Sequence, residues 1–168
     1  LSDPSQKSAL FYARADNLNN WLGDVGTRLG SLSQRLSASV GRVKLNTSLK
    51  TEVPAPGQVP QVDEEVVETP WLQIDNVFYE ARGQAWALSH LLRAIEVDFA
   101  DVLAKKNATV SVRQIIRELE ASQEPVWSPM ILNGSGFGVL ANHSLVMANY
   151  ISRANAAVID LRQLLNQG

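Results

Sequence analysis

The stretch Trp71 to Lys105, WLQIDNVFYEARGQAWALSHLLRAIEVDFADVLAK, decides the fold. Within it Ile74, Phe78, Ala81, Ala85, Leu88, Leu92, Ile95, Phe99 and Val102 follow one another in steps of four and three. A helix turns by about 100° per residue, so this spacing keeps them all on one face as a continuous apolar seam. No other stretch is both as long and as apolar, and the remaining helices are expected to pack on this one. Thr69-Pro70 supplies its start, a capping side chain followed by a residue whose missing N–H costs nothing in a first turn. Lys105-Lys106-Asn107 supplies its end: cations favour the negative pole of a helix, and asparagine tolerates the left-handed backbone that closes it. The predicted central helix runs over about 69–106.

Upstream, Phe11, Ala15, Leu18, Leu22, Val25, Leu29, Leu32 and Leu36 repeat the same alternation. They predict a first helix over about 4–41, opened by Asp3-Pro4 and stopped by Gly41. Arg14, Trp21, Arg28 and Arg35 recur every seven residues along one flank, where long basic stems cover the seam and pair with acids of a neighbouring helix. Gly23, Gly26 and Gly30 each weaken this helix by about 1 kcal/mol relative to alanine, a cost that close approach of a second helix would justify. Residues 42–68 carry no helical period. Pro54, Pro56, Gly57 and Pro60 interrupt them and Asp63, Glu64 and Glu65 add an acidic cluster, so a long proline-rich linker is expected, with the acids solvated.

Downstream, Ser111 and Gln114 have the spacing of a capping box, with Val110 and Ile115 at the positions of a hydrophobic staple. They predict a short helix over about 111–122. A Pro- and Gly-rich loop follows, in which Val126-Trp127 and Met130-Ile131-Leu132 are expected to tuck onto the bundle. Leu140, Ser144, Met147, Ile151, Ala154, Val158, Leu161 and Leu165 then predict a last helix over about 137–166. The fold class is all-α: one domain, an elongated helical bundle of three long heptad-patterned helices and one short helix.

Composition narrows the function. In 168 residues, 15 basic and 17 acidic side chains leave a net charge of −2, which gives no electrostatic case for nucleic acid. The absence of cysteine excludes disulfides, thiolate metal sites and a cysteine nucleophile. A charged fraction of 19%, below the usual quarter or so, fits extensive helix–helix burial or a surface covered by a partner.

The candidates for chemistry are few. Gly134-Ser135-Gly136-Phe137-Gly138 precedes a helix, but no P-loop lysine follows and no βαβ unit surrounds it, so a turn with Asn133 or Ser135 capping the last helix is expected. Of the two histidines, His90 lies opposite the central seam, and His143 flanks the last seam as a half-buried, hydrogen-bonded ring. Neither has a local partner at metal-ligand spacing. No Glu-x-x-His pair of the di-iron bundles occurs. The carboxylates of the central helix are read as partners for arginines such as Arg28, Arg35, Arg113, Arg153 and Arg162, and Asp75 and Arg82 as members of a structural polar network. No catalytic residue, metal ligand or cofactor is assigned. Asn133, Ser135, His143 and Ser144 are the candidate ligand-binding residues, for a small molecule or anion.

TPWLQIDNVFYEARGQAWALSHLLRAIEVDFADVL, SVRQIIRELEASQ, WSPMILNGSGFGVLANHSLVMANYISRANAAVIDLR and, more weakly, RLGSLSQRLSAS resemble an uncharacterised proteobacterial family, domain-of-unknown-function family 2333. The resemblance covers most of the chain outside the linker. It implies a larger membrane-associated protein with a transmembrane segment upstream of Leu1, of which this chain is the C-terminal part, anchored in the inner membrane and facing the periplasm. It implies no activity and carries over no catalytic residue. The function expected is that of a non-enzymatic structural or interaction domain, with a protein partner or self-association. The alternative is a ligand-sensing bundle acting through the 133–144 segment.

Overall fold

The computed structural model describes residues 13–45, 64–128, 130–134 and 141–167. The helices are α1 (Ala15–Ser37), α2 (Ile74–Asp98), α3 (Ala100–Lys105), α4 (Thr109–Ala121) and α5 (His143–Asn166). Each long helix runs opposite to its neighbours. Near the start of α1, Asn19 donates to Asn166 at the end of α5 (2.7 Å), while Ser33 near the end of α1 reaches the Ala148 carbonyl. Arg35, at the end of α1, holds Glu80, near the start of α2, with bonds of 2.8 and 2.6 Å. The ion pairs Arg93–Glu120 and Arg113–Glu96 align α2 against α4, and Arg153–Glu118 joins α5 to α4. The result is an up-down-up-down bundle in the order α1, α2, α4, α5.

The seams read from the sequence form the core. Leu18, Leu22, Val25, Leu29, Leu32 and Leu36 of α1 are buried, as are Ile74, Phe78, Ala81, Ala85 and Leu92 of α2. From α5, Ser144, Met147, Ile151, Ala154, Val158, Leu161 and Leu165 join them. The α1–α5 contact is the closest in the bundle, and the glycines of α1 make it so. A Cβ on Gly26 would lie 3.4 Å from Asn155 Oδ1 and 3.7 Å from Val158 Cγ1. One on Gly23 would meet the Arg162 guanidinium at 3.3 Å. Removing side chains here lets α5 settle against the α1 backbone, and dispersion across the contact offsets the helix weakness of glycine.

Several local expectations are corrected. The central helix is not continuous: Phe99 (φ −107°, ψ 18°) separates α2 from α3, and the phase shift buries Leu103 completely, leaving Val102 half-buried. Its end is as expected. Asn107 is left-handed (φ 52°), Ala108 N–H returns to the Leu103 carbonyl at 2.8 Å and Asn107 N–H to that of Ala104, the paired bonds of a Schellman cap. Thr69 does not cap α2. Its N–H bonds the Ala38 carbonyl, and a 3-10 turn, Trp71–Gln73, leads into the helix. Ser111 lies inside α4, whose N-cap is Ala108. The capping box is therefore not formed, Gln114 instead bonds Glu118, and Val110 is exposed rather than stapled.

The segment expected to be an irregular linker over 42–68 is partly ordered. Gly41, at φ 77°, turns the chain out of α1, and β1 (Arg42–Leu45) pairs antiparallel with β2 (Glu64–Val67), Arg42 opposite Val67 and Leu45 opposite Glu64. Short pairings of this kind are set by the backbone ladder, which has no helical period to betray it. Asp3-Pro4, Phe11 and the prolines at 54, 56 and 60 lie outside the described residues.

The Arg35–Glu80 pair carries a pH dependence. Hydrogen bonding from Arg35 holds the Glu80 carboxyl below the ordinary carboxylate range, against a smaller opposing effect of burial. A lowered folded-state pKa means stability present at neutral pH and lost as pH falls through that value. Both side chains are more than 40% exposed, so solvent screening holds the contribution below about 1 kcal/mol. Glu80→Gln is therefore expected to lower the melting temperature slightly at pH 7, and the gap to the wild type should close in acid. Melting curves collected down a pH series check this.

Candidate functional site

Of the expected ligand residues, Asn133 falls on a small polar knot where the segment before α5 meets the end of α1, and His143 adjoins it. Asn133 and Asn142 form an isolated antiparallel bridge, closed by Gly134 N–H to the Ala141 carbonyl and His143 N–H to that of Leu132. The Asn133 amide donates to the Ser39 carbonyl, and its oxygen accepts from Asn142 at 3.0 Å. Asn142 also donates to the Gly134 carbonyl (2.6 Å), while its oxygen caps α5 through Leu145 N–H (2.8 Å). The N-cap of the last helix is thus Asn142, five residues past the expected start near Phe137, and neither Asn133 nor Ser135 performs that role. The side-chain polar atoms of Asn133 and Asn142 are all used within the chain, so the knot ties residues 132–134 to residues 141–143. Ser144 is 1% exposed and points into the core. Ser135 lies outside the described residues.

His143 is as expected: half-buried, with Nδ1 accepting from Leu132 N–H at 2.9 Å. That bond makes Nε2 the protonated nitrogen of the neutral ring. The ring borders a half-open pocket of about 230 Å³ with Phe78, Arg82, Trp127, Met147 and Tyr150. Arg82 is already committed, donating to the Gln123 and Glu124 carbonyls past the end of α4, where a cation answers the helix dipole. Trp127 is 95% exposed rather than tucked in, while Val126 and Ile131 do pack on the core. The pocket is smaller than the roughly 300–1,000 Å³ of typical small-molecule sites. Among the described candidates Asn133, His143 and Ser144, only His143 lines it. No group of three His, Asp or Glu side chains suited to a metal occurs among the described residues.

A second concavity is larger and was not anticipated. Where α1 and α5 touch closely, α1 and α2 stand apart, and a groove of about 440 Å³ runs between them. Val25, Leu29, Leu32, Leu88 and Leu91 give it an apolar floor, with Trp21, Asp24, Arg28 and Gln84 at its edges. The expected arginine stripe divides here. Arg35 pairs with the neighbouring helix, Arg14 with Asp16 of its own, and Arg28 makes no ion pair among the described residues.

Beside the groove, α2 turns its outer face to solvent. Asn76, Tyr79, Gly83, Trp86, Ala87, His90, Ala94 and Val97 are all exposed, and none is a carboxylate, lysine or arginine. Trp86 and Val97 are 58% and 75% exposed, and the Trp86 and His90 rings meet edge-on at 4.4 Å. The charges of α2 sit on the flanks, with Glu80 held by α1 and Arg82, Arg93 and Glu96 by α4 or its end. The spacing of this second stripe was legible in the sequence; the single seam sought for each helix hid it.

Fold and surface together define the class: an antiparallel helical-bundle domain with one open seam, whose second helix carries no carboxylate, lysine or arginine on its outward face. The chain belongs to the bacterial family described as "Uncharacterized protein conserved in bacteria (DUF2333)", which it matches over residues 1–168. This bears out the resemblance and extends it across the whole chain. No curated protein and no solved structure matches. No helix among the described residues is long and apolar enough to cross a membrane.

Proposed function

We propose that this domain is a non-enzymatic interaction module, presenting the α2 surface and the adjoining α1–α2 groove to protein. One observation carries the reading: α2 buries one face in the bundle yet keeps the opposite face uncharged and rich in large side chains. Contiguous exposed surface that carries large side chains and no formal charge marks interaction sites. The groove continues that surface through Ala87 and Leu91. A place in the bacterial cell envelope, on an anchor upstream, belongs to the same proposal and rests on the resemblance alone.

The test is site-specific photo-cross-linking of the full-length protein in its own host. A probe at Leu91 or Trp86 should give a discrete protein adduct, and one at Asp160, exposed on the outer side of α5, should give none. Equal labelling at the three positions, or no adduct anywhere, would sink the reading.

A further inference from the structure

The pocket beside His143 has walls and polar groups for which the interaction reading has no use, and it shares no residue with the α1–α2 groove. The geometry points to a binding site there for a small aromatic carboxylic acid. Its ring lies between α2, the end of α4 and the start of α5, with the acid group attached directly or on a short arm.

Size narrows the ligand first. The pocket holds about 230 Å³ and is half open. An apolar cavity of roughly 150 Å³ is enough to take up benzene. The space therefore suits one ring and a few further atoms, and it is too small for a nucleotide or another ligand of ordinary size.

The walls select a ring. Phe78 and Met147, both buried, give an apolar lining, and the half-buried Tyr150 adds a second aromatic side chain. Aromatic side chains pair with flat ligands through edge and face contacts, and a thioether sulfur packs well against a ring. Trp127 is the member of the lining that the chain itself does not account for. It is 95% exposed, although it borders a concavity. A ring held in the pocket gives the indole a surface to pack on.

The polar groups select the acid. With Nδ1 of His143 accepting from Leu132 N–H, the proton sits on Nε2, and no group among the described residues accepts from it. The Tyr150 hydroxyl likewise has no partner among the described residues. Arg82 adds a full positive charge. Its two bonds go to the neutral carbonyls of Gln123 and Glu124, and no carboxylate among the described residues pairs with it. The first residue of α5 is His143, so the positive pole of that helix lies at the same wall. Glu124 brings one opposing charge to the lining. It is exposed, where water and salt screen it, whereas Arg82 is half-buried and its field is less weakened.

An amide-correlation NMR titration of the purified chain, at fixed pH and ionic strength, tests this with three probes: benzoate, benzyl alcohol as the ring without the charge, and acetate as the charge without the ring. Benzoate should shift the Leu132 and His143 amides and the Trp127 indole along one saturable curve. A dissociation constant of roughly 0.1–1 mM is expected for so few atoms. Acetate should move none of these signals, and benzyl alcohol should bind about tenfold more weakly, having lost the charge-assisted bonds. Tyr150→Phe and Trp127→Ala should each weaken benzoate about fivefold, read at Leu132, without lowering the melting temperature, because they remove one hydroxyl and one exposed ring. Shifts that fail to saturate with benzoate overturn the proposal. So does benzyl alcohol binding as well as benzoate, or a benzoate affinity that both variants leave unchanged. None of these failures touches the α2 reading, which the photo-adducts at Leu91 and Trp86 decide separately.

Discussion

Gly26→Leu is expected to destabilise the domain by about 3 kcal/mol, at the upper end of what overpacking a close contact costs. The first added carbon already reaches van der Waals distance of Asn155 Oδ1 and Val158 Cγ1, so the rest of a leucine has to push α1 and α5 apart. Separation at one point loosens the packing of Leu22, Val25 and Leu29 against α5, and this loss outweighs the roughly 0.8 kcal/mol that leucine gains over glycine in helix propensity. For a chain of this length the melting temperature should fall by about 6–12 °C. Gly30→Ala provides the contrast. A Cβ there stands 3.6 Å from Asn155 Nδ2, an ordinary contact, and the helix gains stability from losing its glycine. Thermal melts of the two variants beside the wild type check both signs. A leucine tolerated at 26 without loss would mean that α5 does not lie as close to α1 as described.

Asn142→Ala is expected to cost a similar amount for a different reason. Asn142 is 6% exposed and does two jobs: its oxygen caps α5, and its amide feeds the Gly134 carbonyl and Asn133 Oδ1. Losing a cap costs typically about 1 kcal/mol, and orphaning a buried acceptor another 1–3 kcal/mol. The total is about 3 kcal/mol, read as a shift of the urea midpoint. Asn142→Ser separates the two jobs, because serine keeps a capping oxygen but has no amide to donate. It should recover about 1 kcal/mol of the loss. Full recovery by serine would show that the knot around Asn133 adds nothing beyond the cap.

The seams were legible because burial on a helix obeys one period, and the period survives in the order of residues. Leu18 to Leu36, Ile74 to Leu92 and Ser144 to Leu165 could be placed inside before any coordinates were known. The ends of helices were read less well. Ser111-x-x-Gln114 has the spacing of a capping box, yet the Schellman turn at Asn107 already starts α4 at Thr109 and carries the serine past the cap position. The β1–β2 ribbon left no trace, since a ladder of backbone groups makes few demands on sequence. The candidate site divides in the same way. His143 was placed correctly from its flank position, whereas the use of the Asn133 amide was hidden because its partner, the Ser39 carbonyl, lies far away in the chain. The groove between α1 and α2 could not be read at all. It depends on α1 lying closer to α5 than to α2, a choice between two partners that share one seam.

The ribbon bears on what kind of change this protein can absorb. Leu45 and Glu64 are paired neighbours in the ladder, so the chain leaves the bundle and returns to it at adjacent points. Residues 46–63 therefore connect two neighbouring points of the ladder. Doubling such a connection costs only about 0.6 kcal/mol of closure entropy, little against the stability of a domain. Residues can thus be added or removed between the two strands without disturbing the register of the helices.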